Sequence, residues 1–143
     1  MKPAGDELRP IGGGEATAGY PPPEQLIDVR RVDRPDAVVV DVDGAVDVLT
    51  APRLRTVLVA ALDSPGERPV VVDLTRVRFF GSPGLQVLAE SAREASTRAG
   101  FQPLRLAVDS NRPVLRPIEL TGFDAILALY SDVEEAVRGT SPG

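Results

Sequence analysis

The chain has 143 residues, 43% of them hydrophobic and 26% charged, which suits one globular domain with a core and leaves little room for a second. With 16 basic against 21 acidic residues the net charge is -5, so most of the surface repels a phosphate backbone and nucleic acid is not an expected partner. Cysteine and histidine are both absent, which removes disulfides, thiol nucleophiles, Cys-ligated zinc and the commonest general base and metal ligand, so neither an enzyme nor a cofactor is expected. No segment reaches the ~20 apolar residues of a membrane span, and the N-terminus lacks the basic start and apolar run of a secretory signal. A cytoplasmic protein without a membrane partner is therefore the expectation.

Residues 1–25 hold five Gly and five Pro, including Gly12-Gly13-Gly14 and Pro21-Pro22-Pro23, and no periodic apolar face, so they are expected to form a flexible tail. A partner-docking arm is the functional alternative for that segment. The domain itself is expected over 26–138, with 139–143 loose. Leu26 to Val29 and Ala37 to Val42 are apolar, β-branched runs separated by the turn-forming Asp33-Arg34-Pro35-Asp36, the pattern of a hairpin. Thr50 then stands as a helix cap with Pro52 in the first turn, and Leu49 and Leu54 have the spacing of a hydrophobic staple. Leu54, Val57, Leu58, Ala61 and Leu62 fall on one helical stripe, which Ser64-Pro65-Gly66 ends.

Val70 to Leu74 is a nearly continuous apolar run bounded by turn residues and is expected as a short strand at the sheet centre. A second helix carries Leu85, Leu88, Ala89, Ala92 and Ala95 on one face, with Gly100 as its stop. Leu104 to Val108 is the next strand. From Arg112 to Leu120 a helix must be short or kinked, because Pro113 and Pro117 lie within it, and Gly122 ends it. Ala125 to Leu129 suits an edge strand, and Ser131 with Glu134 has capping-box spacing for a last helix through Val137. The resulting order, β-β-α-β-α-β-α-β-α, calls for right-handed crossovers and an α/β domain.

Two segments carry candidate chemistry. Val38-Val39-Val40-Asp41-Val42-Asp43-Gly44 resembles the first motif of haloacid-dehalogenase-type phosphatases, in which Asp41 would be nucleophile and Asp43 acid/base with magnesium. The rest of that constellation is missing: Lys2 is the only lysine, and the sole adjacent acidic pair after Asp43 is Glu134-Glu135, in the terminal helix. Gly12-Gly13-Gly14-Glu15 likewise lacks the Gly-Lys-Ser/Thr ending of a phosphate-binding loop.

The second segment runs from Val71 to Leu85: a strand end, a short loop and a helix start. Ser82 suits the cap position, Pro83 the first helical position, and Gly84 permits close approach. The same start would leave free N–H groups and a positive dipole end beside Ser82, a place for a phosphate or a partner's acidic group. Phe79 and Phe80 precede it, one for the core and one for an apolar contact at the rim.

These residues resemble the signature of the anti-sigma-factor antagonists of the STAS family. Asp73-Leu74-Thr75 is similar to its strand end, Gly81-Ser82-Pro83-Gly84-Leu85 to its Asp-Ser-Ser-Gly-Leu turn, Gly44 to Leu54 to its Gly-Glu-Leu-Asp…Thr-Ala stretch, and Pro117 to Phe123 to its Leu-Thr-Gly-Leu ending. The resemblance implies a mixed β-sheet with helices mainly on one side and a protein that docks an anti-sigma factor, often a serine kinase, or a related ATPase-fold protein, and so frees a sigma factor. It implies docking through Asp47, Thr50, Phe79, Phe80, Gly81, Ser82, Pro83 and Gly84, and a protein expected to be monomeric when free. Phosphorylation of the family's serine breaks such a complex by adding charge. Aligned on Gly84, that serine is Pro83 here, and the family's acidic residue two before it is Gly81. Ser82 is the nearest hydroxyl and the candidate phosphorylation site. The alternative readings are a STAS module that senses a small ligand or nucleotide or serves a signalling assembly, and the magnesium phosphatase.

Overall fold

The computed structural model describes residues 27–63, 68–97, 103–122 and 127–139. The tail at 1–25, Leu26, the helix stops at Ser64 to Gly66 and Gly100, Phe123, Ala125 and residues 140–143 lie outside the described residues. The two opening β-branched runs pair as a hairpin: β1 (Ile27–Asp33) lies antiparallel to β2 (Val38–Val46), with Ile27 opposite Gly44 and Asp33 opposite Val38. Its turn closes with the Arg34 N–H donating to the Ala37 carbonyl at 2.9 Å.

From there strands and helices alternate. Helix α1 (Ala51–Asp63) leads to β3 (Val70–Phe80), α2 (Ser82–Ser96) to β4 (Arg105–Ala107), α3 (Arg112–Thr121) to β5 (Ala128–Tyr130), and α4 (Val133–Arg138) ends the fold. Among the described residues the sheet has the spatial order β1-β2-β3-β4-β5, with β2 to β5 parallel and β1 antiparallel, so β3 is central as expected.

Strand alternation sorts the apolar residues onto two faces. Val38, Val40 and Val42 of β2 and Val70, Val72 and Leu74 of β3 point at Leu54 and Leu58 of α1, Leu85 and Leu88 of α2, and Val114 and Ile118 of α3, forming the main core. Burying each such side chain is worth roughly 1.5–3 kcal/mol. On the other face Ala37, Val39 and Val71 meet Ala136, with Val133, Val137 and Tyr130 alongside, so among the described residues three helices cover one side and the short α4 the other. Two arginines fasten α4. Arg34 in the hairpin turn makes a forked pair with Glu134 at 2.8 and 3.1 Å, and Arg105 of β4 donates to the terminal carbonyls of Ala136 and Val137 at 2.8 and 3.1 Å, where the helix dipole favours a cation.

Four local expectations need correction. The central strand does not stop at Leu74 but continues to Phe80, because two register shifts against β2 let it keep pairing through a stretch whose alternation is broken. The staple of Leu49 on Leu54 is not formed: Leu54 is buried in the core and Leu49 is 60% exposed. The last helix is capped by Asp132, not Ser131. The Asp132 carboxylate accepts the Glu135 N–H at 2.8 Å, and Glu135 rather than Glu134 reaches back to the Ser131 N–H at 3.2 Å. The edge strand lies at Ala128–Tyr130, later than expected from the apolar run. Pro117, by contrast, is accommodated inside α3, which runs from Arg112 to Thr121 and ends at Gly122 with φ 76°.

Candidate functional site

At the end of β2 the chain turns into α1 through a loop held by side chains. The Asp47 N–H donates to Thr50 Oγ1 at 2.9 Å, and the Thr50 and Leu49 N–H groups donate to Asp47 Oδ1 at 3.1 and 2.9 Å. Thr50 Oγ1 in turn donates to the Ala45 carbonyl at 2.7 Å, and Thr50 is fully buried. Thr50 therefore builds the loop from below instead of capping α1 with its hydroxyl, and Asp47 is the acid that closes the turn. With both polar groups turned inward, Val48 and Leu49 are left outward, 73% and 60% exposed.

Beside this loop β3 runs into α2. Against β2, Asp41 faces Asp73 but Asp43 faces Arg76, and Gly44 faces Val77 but Ala45 faces Phe79, so β3 carries one extra residue at each shift. The result is that Leu74, Val77 and Phe80 all point into the core while Phe79 is 54% exposed. The Gly81 N–H then donates to the Val46 carbonyl at 2.9 Å, which ties the turn to the end of β2. Gly84 lets the helix start settle onto that end: a Cβ there would stand 2.7 Å from Val46 Cγ1 and 2.9 Å from the Phe80 ring. At Gly81 a Cβ would stand 3.2 Å from the Phe79 ring, so the missing side chain also makes room for the exposed phenylalanine.

The cap is Gly81, not Ser82, and no side chain caps this helix. Extended backbone at Gly81 (φ -89°, ψ 178°) directs its own carbonyl to the N–H groups of Gly84 and Leu85 at 3.0 and 3.2 Å. Pro83 has no N–H to give. The first turn is thus nearly satisfied by itself, which corrects the expectation of a row of free amides waiting for an anion. Ser82 is exposed and its hydroxyl caps nothing.

Of the eight predicted docking residues, the structure gathers all at one end of β2 and β3, but it divides them into two layers. Phe79 and Ser82 are exposed, Asp47, Gly81 and Pro83 are half-buried, and Thr50, Phe80 and Gly84 lie beneath and shape the surface without forming it. Val48, which shares a shallow hollow with Pro52, Pro83 and Gln86, and Leu49 were not foreseen there. Nor was Asn111, at the start of α3: its side-chain amide donates to the carbonyls of Leu74 and Val77, both at 2.8 Å.

The phosphatase-like pair is held otherwise. Asp41 lies between Arg76, at 2.5 and 2.6 Å, and Arg30, at 3.3 Å, while Asp43 faces Arg78 at 3.6 Å. Among the described residues no three acidic side chains gather into a metal-binding group. This is a cross-strand ladder of neutralised charges on the open face of the sheet, and a carboxylate held between two guanidinium groups is a poor nucleophile.

The fold matches a known class. The model of the STAS domain fits residues 27–136, and the chain belongs to that family. Over 118 residues, 82% of this chain and 92% of the relative, it is 30% identical to the anti-sigma-F factor antagonist RsfB of Mycobacterium tuberculosis. The crystal structure of an anti-sigma factor antagonist from Mycobacterium paratuberculosis superposes with a TM-score of 0.70 at 32% identity, covering 79% of this chain and 92% of that one. SpoIIAA in its unphosphorylated form shares the fold at 22% identity, with a TM-score of 0.55 over 80% of this chain and 99% of its own.

Proposed function

We propose that this chain is an anti-sigma-factor antagonist that acts by docking, without catalysis, on an anti-sigma factor of kinase-like ATPase fold in the cytoplasm. The observation that carries the reading is the apolar rim of Val48, Leu49 and Phe79, exposed around the α2 start in a chain 30% identical to an antagonist of that kind. Three large apolar side chains left exposed around one turn are a usual mark of an interface. Phosphate on residue 82, or on a serine at position 83, would enter that rim and oppose docking by charge and desolvation. At Pro83 no hydroxyl exists to accept it, so the complex is expected to persist when its partner has ATP.

Copurification with the cognate anti-sigma factor, followed by incubation with ATP and mass mapping of Ser82, Thr75 and Thr50, tests this. The expected result is a complex that survives ATP, is weakened by Phe79→Asp, and becomes ATP-sensitive with phosphate on residue 83 in Pro83→Ser. Sigma factor that stays bound to the anti-sigma factor in the presence of this chain would overturn the antagonist role. Phosphate on Ser82 with dissociation would mean that the switch has moved by one residue.

A further inference from the structure

Among the described residues, strand β3 has a strand neighbour on its β4 side only from Val71 to Asp73, which face Arg105 to Ala107. Beyond Asp73, its next carbonyls on the α3 side belong to a segment that also slips register against β2. A stretch that loses its ladder on one edge and is bulged on the other has little to fix its direction. At that place the Asn111 amide supplies both of its hydrogens, one to Leu74 O and one to Val77 O, each at 2.8 Å, and so spans the first bulge.

Asn111 stands at the cap of α3, where asparagine ordinarily bonds its own helix. Here no side-chain cap bond forms. Its backbone does the local work instead, its N–H donating to Val108 O at 2.9 Å and its carbonyl accepting from Val114 and Leu115 at 3.1 and 2.9 Å. The side chain is thereby committed to β3, two residues before the exposed Phe79.

We infer that Asn111 is a positioning residue for the docking surface: it stands in for the missing strand, fixes the bulged end of β3, and so aims Phe79 and the Gly81 turn while joining α3 to them. The inference rests on the docking reading above. Replacing Asn111 by Asp keeps the shape and turns two donors into oxygens facing carbonyls.

Residue-resolved amide exchange of the free protein is the first measurement. Asn111→Asp should speed exchange at Val77 to Gly81 by roughly tenfold more than at Leu54 and Leu58 in α1, since a local opening then costs less than global unfolding. Equal acceleration everywhere, or none, overturns the positioning role. Affinity for the anti-sigma factor is the second, with Phe79→Ala alongside. Loss of binding in both variants supports the inference; loss with Phe79→Ala alone overturns it; and no loss with Phe79→Ala overturns the docking surface itself. Should Asn111→Asp fail to fold, Asn111→Ser keeps one donor and should give the same two effects at reduced size.

Discussion

Leu49 and Leu54 look alike in the sequence and differ in every respect that matters to the molecule. Leu54 sits in the core and Leu49 on the rim, so Leu54→Ala should cost about 2–5 kcal/mol while Leu49→Ala changes stability by less than about 0.5 kcal/mol and weakens partner binding. Chemical denaturation of the two variants, with an affinity measurement on Leu49→Ala, checks the contrast; a Leu49 variant as unstable as Leu54→Ala would mean that the loop packs differently. Gly84 is the reverse case, a position with no side chain that decides a contact. Val46 and Phe80 are buried and cannot swing away, so Gly84→Ala should cost about 1–3 kcal/mol by overpacking, read as a lower denaturation midpoint at unchanged slope. A neutral Gly84→Ala would show that α2 can lift from β2 freely. Of the site, the helix start at Gly81 to Leu85 was legible because glycine and proline carry their backbone preferences locally, but its cap falls on Gly81 and not on Ser82. The roles of Thr50, Leu49 and Asn111 were not, since each depends on which distant carbonyl or void the fold brings near it.

The elements were legible wherever one period ran unbroken. The hairpin and the stripes of α1 and α2 follow from alternation and 3.6-residue spacing, and the order of strands and helices follows from them. Where the period fails, so did the reading: Thr75 to Phe80 has two outward arginines and adjacent phenylalanines, which looks like a loop but is bulged strand. Helix α4 is a different kind of element. Its six residues are too few to be stable alone, and it holds through Ala136, the Arg105 bonds and the Glu134 pair. The guanidinium of Arg34 holds the Glu134 carboxyl below its ordinary value of 4.5. A folded value below the unfolded one adds stability at pH above that ordinary value, and the gain is lost as pH falls through the folded value. Attachment of α4 should therefore be constant from neutral pH to about 5 and loosen below that, with Glu134→Gln abolishing the dependence. Amide exchange at Ala136 against pH measures it, and an acid dependence identical in Glu134→Gln would assign it to other carboxylates.

On the scale of the whole molecule, one side of the sheet is apolar and covered by three helices, while the other is half covered by α4 and half a lattice of Asp and Arg at the free ends of β1 to β3. An open, charged sheet face resists aggregation and needs no partner, which leaves the apolar rim at the turn from β3 into α2 as the sticky part of the surface. The double slip in β3 decides which of its side chains enter the core. Counting inward residues from Val72 in steps of two would bring Arg76 and Arg78 into the core. The first slip moves the count by one so that Val77 enters instead, and the second moves it back so that Phe80 enters and Phe79 does not. Each slip adds one residue to β3, and the two together make one full period of the pleat, so the alternation regains its phase. It follows that the number of residues between Leu74 and Phe80 is fixed as tightly as their identity: one residue more or fewer would exchange the two phenylalanines, sending the core's to the surface and the rim's to the core.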